Sequence, residues 1–167
     1  KWSIHEIVCH MRDMERDAYL VRFQRILAEQ NPTLPDVDGD VYALERGYRS
    51  LKLTEVVADW RRLRKEVLAL LRTVKGEAWE RIGTHETAGP LSMVALVRRL
   101  AQGNDEAHLG QIAAIKERFE LLGRMEATPK ALKTATSGLS DEALRRKPEP
   151  GKWSILEIAC HLRDAER

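Results

Sequence analysis

Asn104 and His108 are the residues whose type and spacing most directly allow chemistry, because they interrupt a mainly apolar helical stripe. The other members of that stripe are Met93, Val97, Leu100, Gln111, Ile115, Phe119 and Leu122. Polar side chains in a core need partners. A hydrogen-bonded network would satisfy them, and so would a metal ion, because side chains four residues apart on one helix converge on a single point. Spacing alone leaves both interpretations open.

A second pair of histidines, His10 and His161, comes from a repeated segment. Residues 1–16 return as residues 152–167 with 12 of 16 positions identical. The chain is therefore expected to hold one full period of a repeating unit, cut inside a helix at both ends. His10 lies on the flank of an apolar helical stripe, and Cys9 beside it points about 100° away around the helix. A catalytic cysteine–histidine pair is therefore not expected.

The elements that would position these histidines are helices. Ser3 and Glu6 form a capping box, which predicts a helix from Ile4 to about residue 30. Apolar spacing predicts further helices at 52–75 and 91–122, with Gly123 as a stop signal, and another at about 128–137. The stub of a last helix follows Gly151. No strand pattern is visible, so the sequence predicts an all-α fold.

The connection at residues 31–51 is predicted to be a polar loop at the mouth of a site. Its aspartates Asp36, Asp38 and Asp40 do not have the spacing of an EF-hand calcium loop. Its candidate substrate contacts are Tyr42, Tyr48 and Arg49.

Composition excludes several classes of protein. A net charge of +2 does not indicate binding to nucleic acid or to an anionic membrane. No apolar run is long enough to span a bilayer. The only two cysteines, Cys9 and Cys160, occupy equivalent repeat positions, which indicates reduced thiols and a cytoplasmic protein rather than a disulfide framework.

Three motifs resemble the DinB-like (YfiT-like) superfamily over nearly the whole chain. They are the Pro-Gly-Lys-Trp-Ser-Ile run that begins at Pro150 and continues through His161 to Glu166, the segment from Trp79 through His85 to Gly89, and the segment Asn104–Ile112. The resemblance implies a four-helix bundle, often dimeric, with a divalent metal held by three histidines.

Carried over residue by residue, the resemblance implies a metal site made of His10 or its copy His161, together with Asn104 and His108. Asn104 departs from the family, which has a histidine there. An amide oxygen is a poor ligand for zinc or nickel. Either metal is therefore expected to bind weakly. Asp13, one turn after His10, is expected either to orient that imidazole or to be solvated.

The order of the helices differs from the family order, in which a first helix precedes the signature helix. Residues 1–125 are expected to be a DinB-like bundle lacking its own first helix. Residues 126–167 are expected to supply the first helix and the start of the second helix of a repeated unit. The chain is thus predicted to be permuted or domain-swapped, with residues 128–167 completing the bundle either within one chain or by exchange between two chains. A homodimer is expected, and helix exchange is one route to it.

Two functions are consistent with these residues. The first is a metal-dependent enzyme, either a thiol-dependent transferase or a hydrolase, that acts on a small molecule entering past the 31–51 loop. Its catalytic residues and its thiol cofactor are not assigned by the sequence. The second is a non-catalytic helical bundle with a degenerate metal site, acting in assembly or binding. Neither nucleic acid nor a membrane is an expected partner.

Overall fold

The computed structural model describes residues 2–165, so the ends of both repeat copies, Lys1, Glu166 and Arg167, lie outside the described part. The chain divides into two units, Lys1–Ile115 and Lys116–Arg167. None of the helices described between residues 2 and 165 is long and apolar enough to cross a membrane.

Three long helical segments dominate the first unit, as the apolar spacing predicts. In chain order the elements are α1 (Ile4–Asp13), a π-helical segment (Met14–Leu20), α2 (Val21–Ala28), β1 (Thr33–Leu34), α3 (Gly39–Glu45), a 3-10 turn (Tyr48–Ser50), α4 (Leu53–Thr73), a 3-10 turn (Gly76–Glu80), β2 (Ile82–His85), β3 (Gly89–Ser92), α5 (Met93–Arg98), a second π-helical segment (Arg99–Glu106) and α6 (Ala107–Thr136). The α1–α2 rod, α4 and the α5–α6 rod are the three long segments. The 31–51 connection is not a bare loop, since it contains β1, α3 and a 3-10 turn.

Apolar burial holds these segments together. The main core cluster joins Phe23 and Ile26 of α2 to Leu34 of β1, Val67 of α4 and Leu96 of α5, all fully buried. Burial of this kind stabilises the fold by roughly 25 cal/mol for each Å² of apolar surface removed from water. A second cluster around Cys9, Tyr48 and Val56 packs α1 against the 3-10 turn and α4.

A small three-stranded sheet corrects the expectation that the chain has no strand. Strand β1 pairs in parallel with β2, and β2 pairs antiparallel with β3. Strands of two to four residues are too short to show an alternating pattern, which is why periodicity missed them. Gly83 permits the tight packing, because a Cβ there would lie 2.9 Å from the side chain of Leu34.

Helix α6 corrects the prediction that a helix ends at Gly123 and another begins near Thr128. The helix runs unbroken through both positions and through Pro129. Thr128 donates its hydroxyl hydrogen bond to the carbonyl of Arg124, one turn earlier, as in a helix interior, and does not cap a new helix. Glycine and proline are local stop signals, and here the helix continues through both.

The second unit contains the rest of α6, then α7 (Asp141–Arg145) and α8 (Ile155–Ala165). The capping box predicted at Ser3 forms, and its repeat copy forms at Ser154. Ser3 N–H donates to Glu6 Oε2 at 2.8 Å, and Ser154 N–H donates to Glu157 Oε2 at 2.7 Å. The hydrogen bond from the Ser3 backbone, together with one from the Arg49 side chain, lowers the pKa of Glu6 to about 2.

The two repeat copies differ in how far their apolar faces are buried. Ile7 and Met11 of α1 are each 1% exposed, whereas their counterparts Ile158 and Leu162 of α8 are 43% and 40% exposed. The predicted permutation and helix exchange remain predictions.

Candidate functional site

The imidazoles of His10 and His108 meet edge to face inside the first unit. Their ring centroids lie 4.8 Å apart with an interplanar angle of 74°. The Trp2 ring lies beside both imidazoles, with its centroid 4.6 Å from that of His10 and 6.3 Å from that of His108. Each of the two helices that supply these histidines contains a π-helical segment, Met14–Leu20 in one and Arg99–Glu106 in the other. Such segments change the phase of a helix and are frequent at functional sites.

His10 is a buried, neutral imidazole. The residue is 9% exposed, and its Nδ1 finds no hydrogen-bond partner in the described part of the chain. Burial, and then the neighbouring His108, lowers the pKa of His10 to about 4, against the opposing carboxylates of Asp13 and Asp40. The imidazole is therefore uncharged at pH 7. It can offer a lone pair to a cation or accept a proton.

His108 is paired with Gln111. The Nδ1 atom of His108 lies 3.1 Å from Oε1 of Gln111, one turn further along α6. With the amide oxygen facing the ring, the matching tautomer carries its proton on Nδ1. The lone pair of Nε2 is then available for a ligand. A second hydrogen bond that fixes a ring in this way is typical of metal-binding histidines.

Asn104 lies one turn before His108 and is 5% exposed. Its Nδ2 donates to Oδ1 of Asp105 at 3.2 Å. Arg64 of α4 holds that carboxylate, with its NH1 2.6 Å from Oδ2 of Asp105. The opposite amide orientation would place two oxygen acceptors against each other, so the carboxylate of Asp105 determines that the NH₂ end of the Asn104 amide faces it.

The remaining candidate ligand, His161, lies in the second unit. Its ring stands 4.8 Å from Trp153, which repeats the spacing between Trp2 and His10. Unlike His10, it is an exposed residue.

Asp13 is neither solvated nor hydrogen-bonded to His10. It is fully buried and accepts hydrogen bonds from Arg12, Arg16 and the Tyr48 hydroxyl, and it forms an ion pair with Arg46 at 2.8 Å. Burial alone would raise the pKa of Asp13, but the hydrogen bonds from Arg12 and Arg46 outweigh that effect and keep it below its usual range. Asp13 therefore anchors the 31–51 connection onto α1.

The candidate substrate contacts of that connection also have structural partners. Tyr48 is 1% exposed, Arg49 pairs with Glu6, and the guanidinium of Arg46 stacks 3.6 Å from the Tyr42 ring centroid. Asp38 caps α3 by accepting from the backbone N–H groups of residues 40 and 41.

Gly39 packs closely against the His10 ring, a contact that no sequence pattern indicates. A Cβ at this position would lie 2.6 Å from Cε1 and Nδ1 of His10 and 3.1 Å from the Trp2 ring. We expect Gly39→Ala to displace the His10 ring or α3, and to lower the free energy of unfolding in urea by about 1–3 kcal/mol.

The matched control for Gly39→Ala is Gly110→Ala in α6. A Cβ there meets no atom within 4 Å. Alanine is a better helix former than glycine, so this variant should be neutral or stabilised by about 0.5–1 kcal/mol. Equal free energies of unfolding for the two variants would contradict the close packing of Gly39 on His10.

The candidate metal ligands in the first unit are two imidazoles and one amide. Within residues 2–165, no three histidine, cysteine, aspartate or glutamate side chains are grouped so as to hold a metal ion. Any cation held here would therefore depend on Asn104 or on donors that the protein does not supply.

Comparisons with known proteins identify a family and a fold. The family model of the DinB superfamily matches residues 1–112 and 124–167. Among solved structures, YfiT from Bacillus subtilis matches with a TM-score of 0.59 at 19% identity, covering 70% of this chain and 67% of that one. That protein is described as a probable metal-dependent hydrolase with an unusual four-helix bundle topology. A search of curated proteins found no match. The predicted helical four-helix-bundle fold is thereby confirmed, with the small three-stranded sheet as a feature that the prediction lacked.

Proposed function

Because the chain belongs to the DinB superfamily, we propose that it is a metal-dependent enzyme of the hydrolase type that acts on a small molecule. The metal ion would be divalent and held by His10, the amide oxygen of Asn104 and His108. The observation that carries the proposal is the meeting of two imidazoles at 4.8 Å, one of them buried and uncharged.

The residues fit a divalent cation, although weakly. Among residues 2–165, the buried Nδ1 of His10 has no hydrogen-bond partner, Nδ1 of His108 lies 3.1 Å from Oε1 of Gln111, and Asp105 accepts a hydrogen bond from the amide of Asn104. Two nitrogens and one neutral oxygen suit zinc or nickel less well than three imidazoles do. When bound, the cation would lower the pKa of a coordinated water and so supply a nucleophile near neutral pH.

The protein residues have separate roles in this proposal. His10 and His108 would bind the metal ion, while Trp2 would exclude water from one side of the imidazole pair. Cys9 is not a nucleophile, because it is fully buried in a cluster with Tyr48 and Val56, and burial raises the pKa of its thiol. If the reaction were instead a thiol-dependent transfer, the thiol would have to come from the substrate or a cofactor.

A hydrolysis assay tests the proposed function. Purified protein loaded with Zn²⁺, Ni²⁺, Co²⁺ or Mn²⁺ is offered a panel of small esters and amides. We expect metal-dependent turnover with at least one member, and we expect His108→Ala to reduce that rate by at least about 100-fold, since removing one ligand removes the metal. His161→Ala should keep the rate and would show that the copy in the second unit is not a ligand.

A specific observation favours a second candidate function. Asn104 stands where the family has a histidine, and no group of three strong ligands exists among residues 2–165. A non-catalytic bundle with a degenerate site, acting in assembly or binding, would share both features. Metal binding without turnover of any substrate in the panel, or no metal binding at all, would favour this alternative.

A further inference from the structure

Asn104 belongs to a chain of polar side chains that connects α4, the π-helical segment of the α1–α2 rod and the π-helical segment before α6. Arg64 lies at its centre. The guanidinium NH2 of Arg64 is 2.6 Å from Oε2 of Glu15, and its NH1 is 2.6 Å from Oδ2 of Asp105. Oδ1 of Asp105 accepts from Arg64 at 3.0 Å and from Nδ2 of Asn104 at 3.2 Å.

This chain of contacts lies mostly inside the protein. Glu15 is fully buried, and the side chains of Arg64 and Asp105 are 27% and 17% exposed. Bidentate pairing fixes the plane of a carboxylate, because the planar guanidinium offers parallel N–H donors. Asp105 is therefore held in one orientation by a residue on another helix.

A fixed carboxylate next to an amide decides which end of the amide faces it. A carboxylate only accepts hydrogen bonds, so it attracts the NH₂ end and repels the oxygen. Without Asp105, the Asn104 amide could adopt either of its two orientations. One of the two would present NH₂ to a cation. An NH₂ group has no lone pair to give.

We propose that Asp105, clamped by Arg64, is a positioning residue that makes Asn104 an oxygen ligand. The inference rests on the proposed function, because it assigns the third donor of the same metal site. Asp105 itself would not touch the cation. Its effect passes through the amide of Asn104, in the way that outer carboxylates orient the ligands of other metal sites.

The test measures the affinity of the full chain for Co²⁺ by titration calorimetry, together with the visible absorption of the bound ion. Asp105→Ala removes the acceptor, and the affinity should fall about 10- to 100-fold with a change in the absorption spectrum. Asp105→Asn still offers an oxygen to Nδ2 of Asn104, so it should keep most of the affinity. If the charge on Asp105 served only the ion pair with Arg64, both variants would lose affinity equally.

Repeating the measurement in an Asn104→His variant shows whether the effect of Asp105 depends on the amide. In Asn104→His there is no amide to orient, so adding Asp105→Ala should leave the affinity within about threefold of the single variant. Asp59→Ala, which removes a half-exposed partner of Arg62 on α4, is the control for loss of a surface carboxylate. Thermal melts monitor folding of every variant.

Equal affinities of the natural chain and Asp105→Ala, or an undiminished effect of Asp105→Ala in the Asn104→His background, would overturn the inference and leave the proposed function intact. Absence of Co²⁺ binding by the natural chain would instead overturn the proposed function. In that case, Co²⁺ binding by Asn104→His would show that the amide is the cause.

Discussion

An Asn104→His variant is expected to bind Zn²⁺ about 100-fold more tightly than the natural chain. A third imidazole would replace a neutral oxygen in a site that already holds His10 and His108 with ring centroids 4.8 Å apart. Zinc prefers nitrogen to amide oxygen, and each factor of ten in affinity corresponds to about 1.4 kcal/mol. Competition titration against a zinc-binding dye measures the two affinities.

The same variant should change the selectivity of the site. Affinity for Mn²⁺, which accepts oxygen donors readily, should rise much less than affinity for Zn²⁺. Asn104→Ala is the matched control, since it removes the oxygen without adding a nitrogen and should weaken binding of both ions. Equal affinity for Zn²⁺ in the histidine variant and the natural chain would mean that position 104 does not face the cation.

Replacing Arg64 by methionine is expected to lower the free energy of unfolding by about 3–5 kcal/mol. The substitution keeps an unbranched apolar stem and removes the charge, and so leaves Glu15, which is fully buried, and Asp105 without their guanidinium. Breaking a buried pair by removing one partner is costly because the remaining charge stays out of water. Since domains are typically stable by only 5–15 kcal/mol, the loss should be plain in urea denaturation.

Arg62→Met provides the comparison on the same helix. Arg62 also pairs with two carboxylates, Asp59 and Glu66, but its side chain is 58% exposed. Exposed ion pairs contribute about 0–1 kcal/mol, so this variant should unfold within about 1 kcal/mol of the natural chain. If both variants lost the same stability, burial of Glu15 would not be the cause.

The candidate site was predictable from sequence where its evidence is local. Asn104 and His108 interrupt an apolar stripe, and the repeat draws attention to His10. The capping boxes at Ser3 and Ser154 form as their spacing predicts. These features depend on residues within about one turn of each other, and helical geometry then determines which of them share a face.

Long-range contacts were not predictable in the same way. Arg64 meets Glu15 across 49 positions of sequence, and Tyr48 meets Asp13 across 35. Periodicity marks which face of a helix is apolar, but it says nothing about which charged side chains will be paired. The close packing of Gly39 on His10 was not predictable either. A glycine in a polar connection indicates a turn, and nothing in the local sequence indicates contact with an imidazole.

Titration calorimetry of Ni²⁺ into the purified natural chain, His10→Ala, His108→Ala and His161→Ala tests most directly whether this chain holds a metal between two imidazoles. We predict one ion bound per chain with a dissociation constant on the order of micromolar, corresponding to about 8 kcal/mol. Binding should be lost in His10→Ala and in His108→Ala and kept in His161→Ala. Binding that survives removal of either His10 or His108, or no binding by the natural chain, would contradict the site.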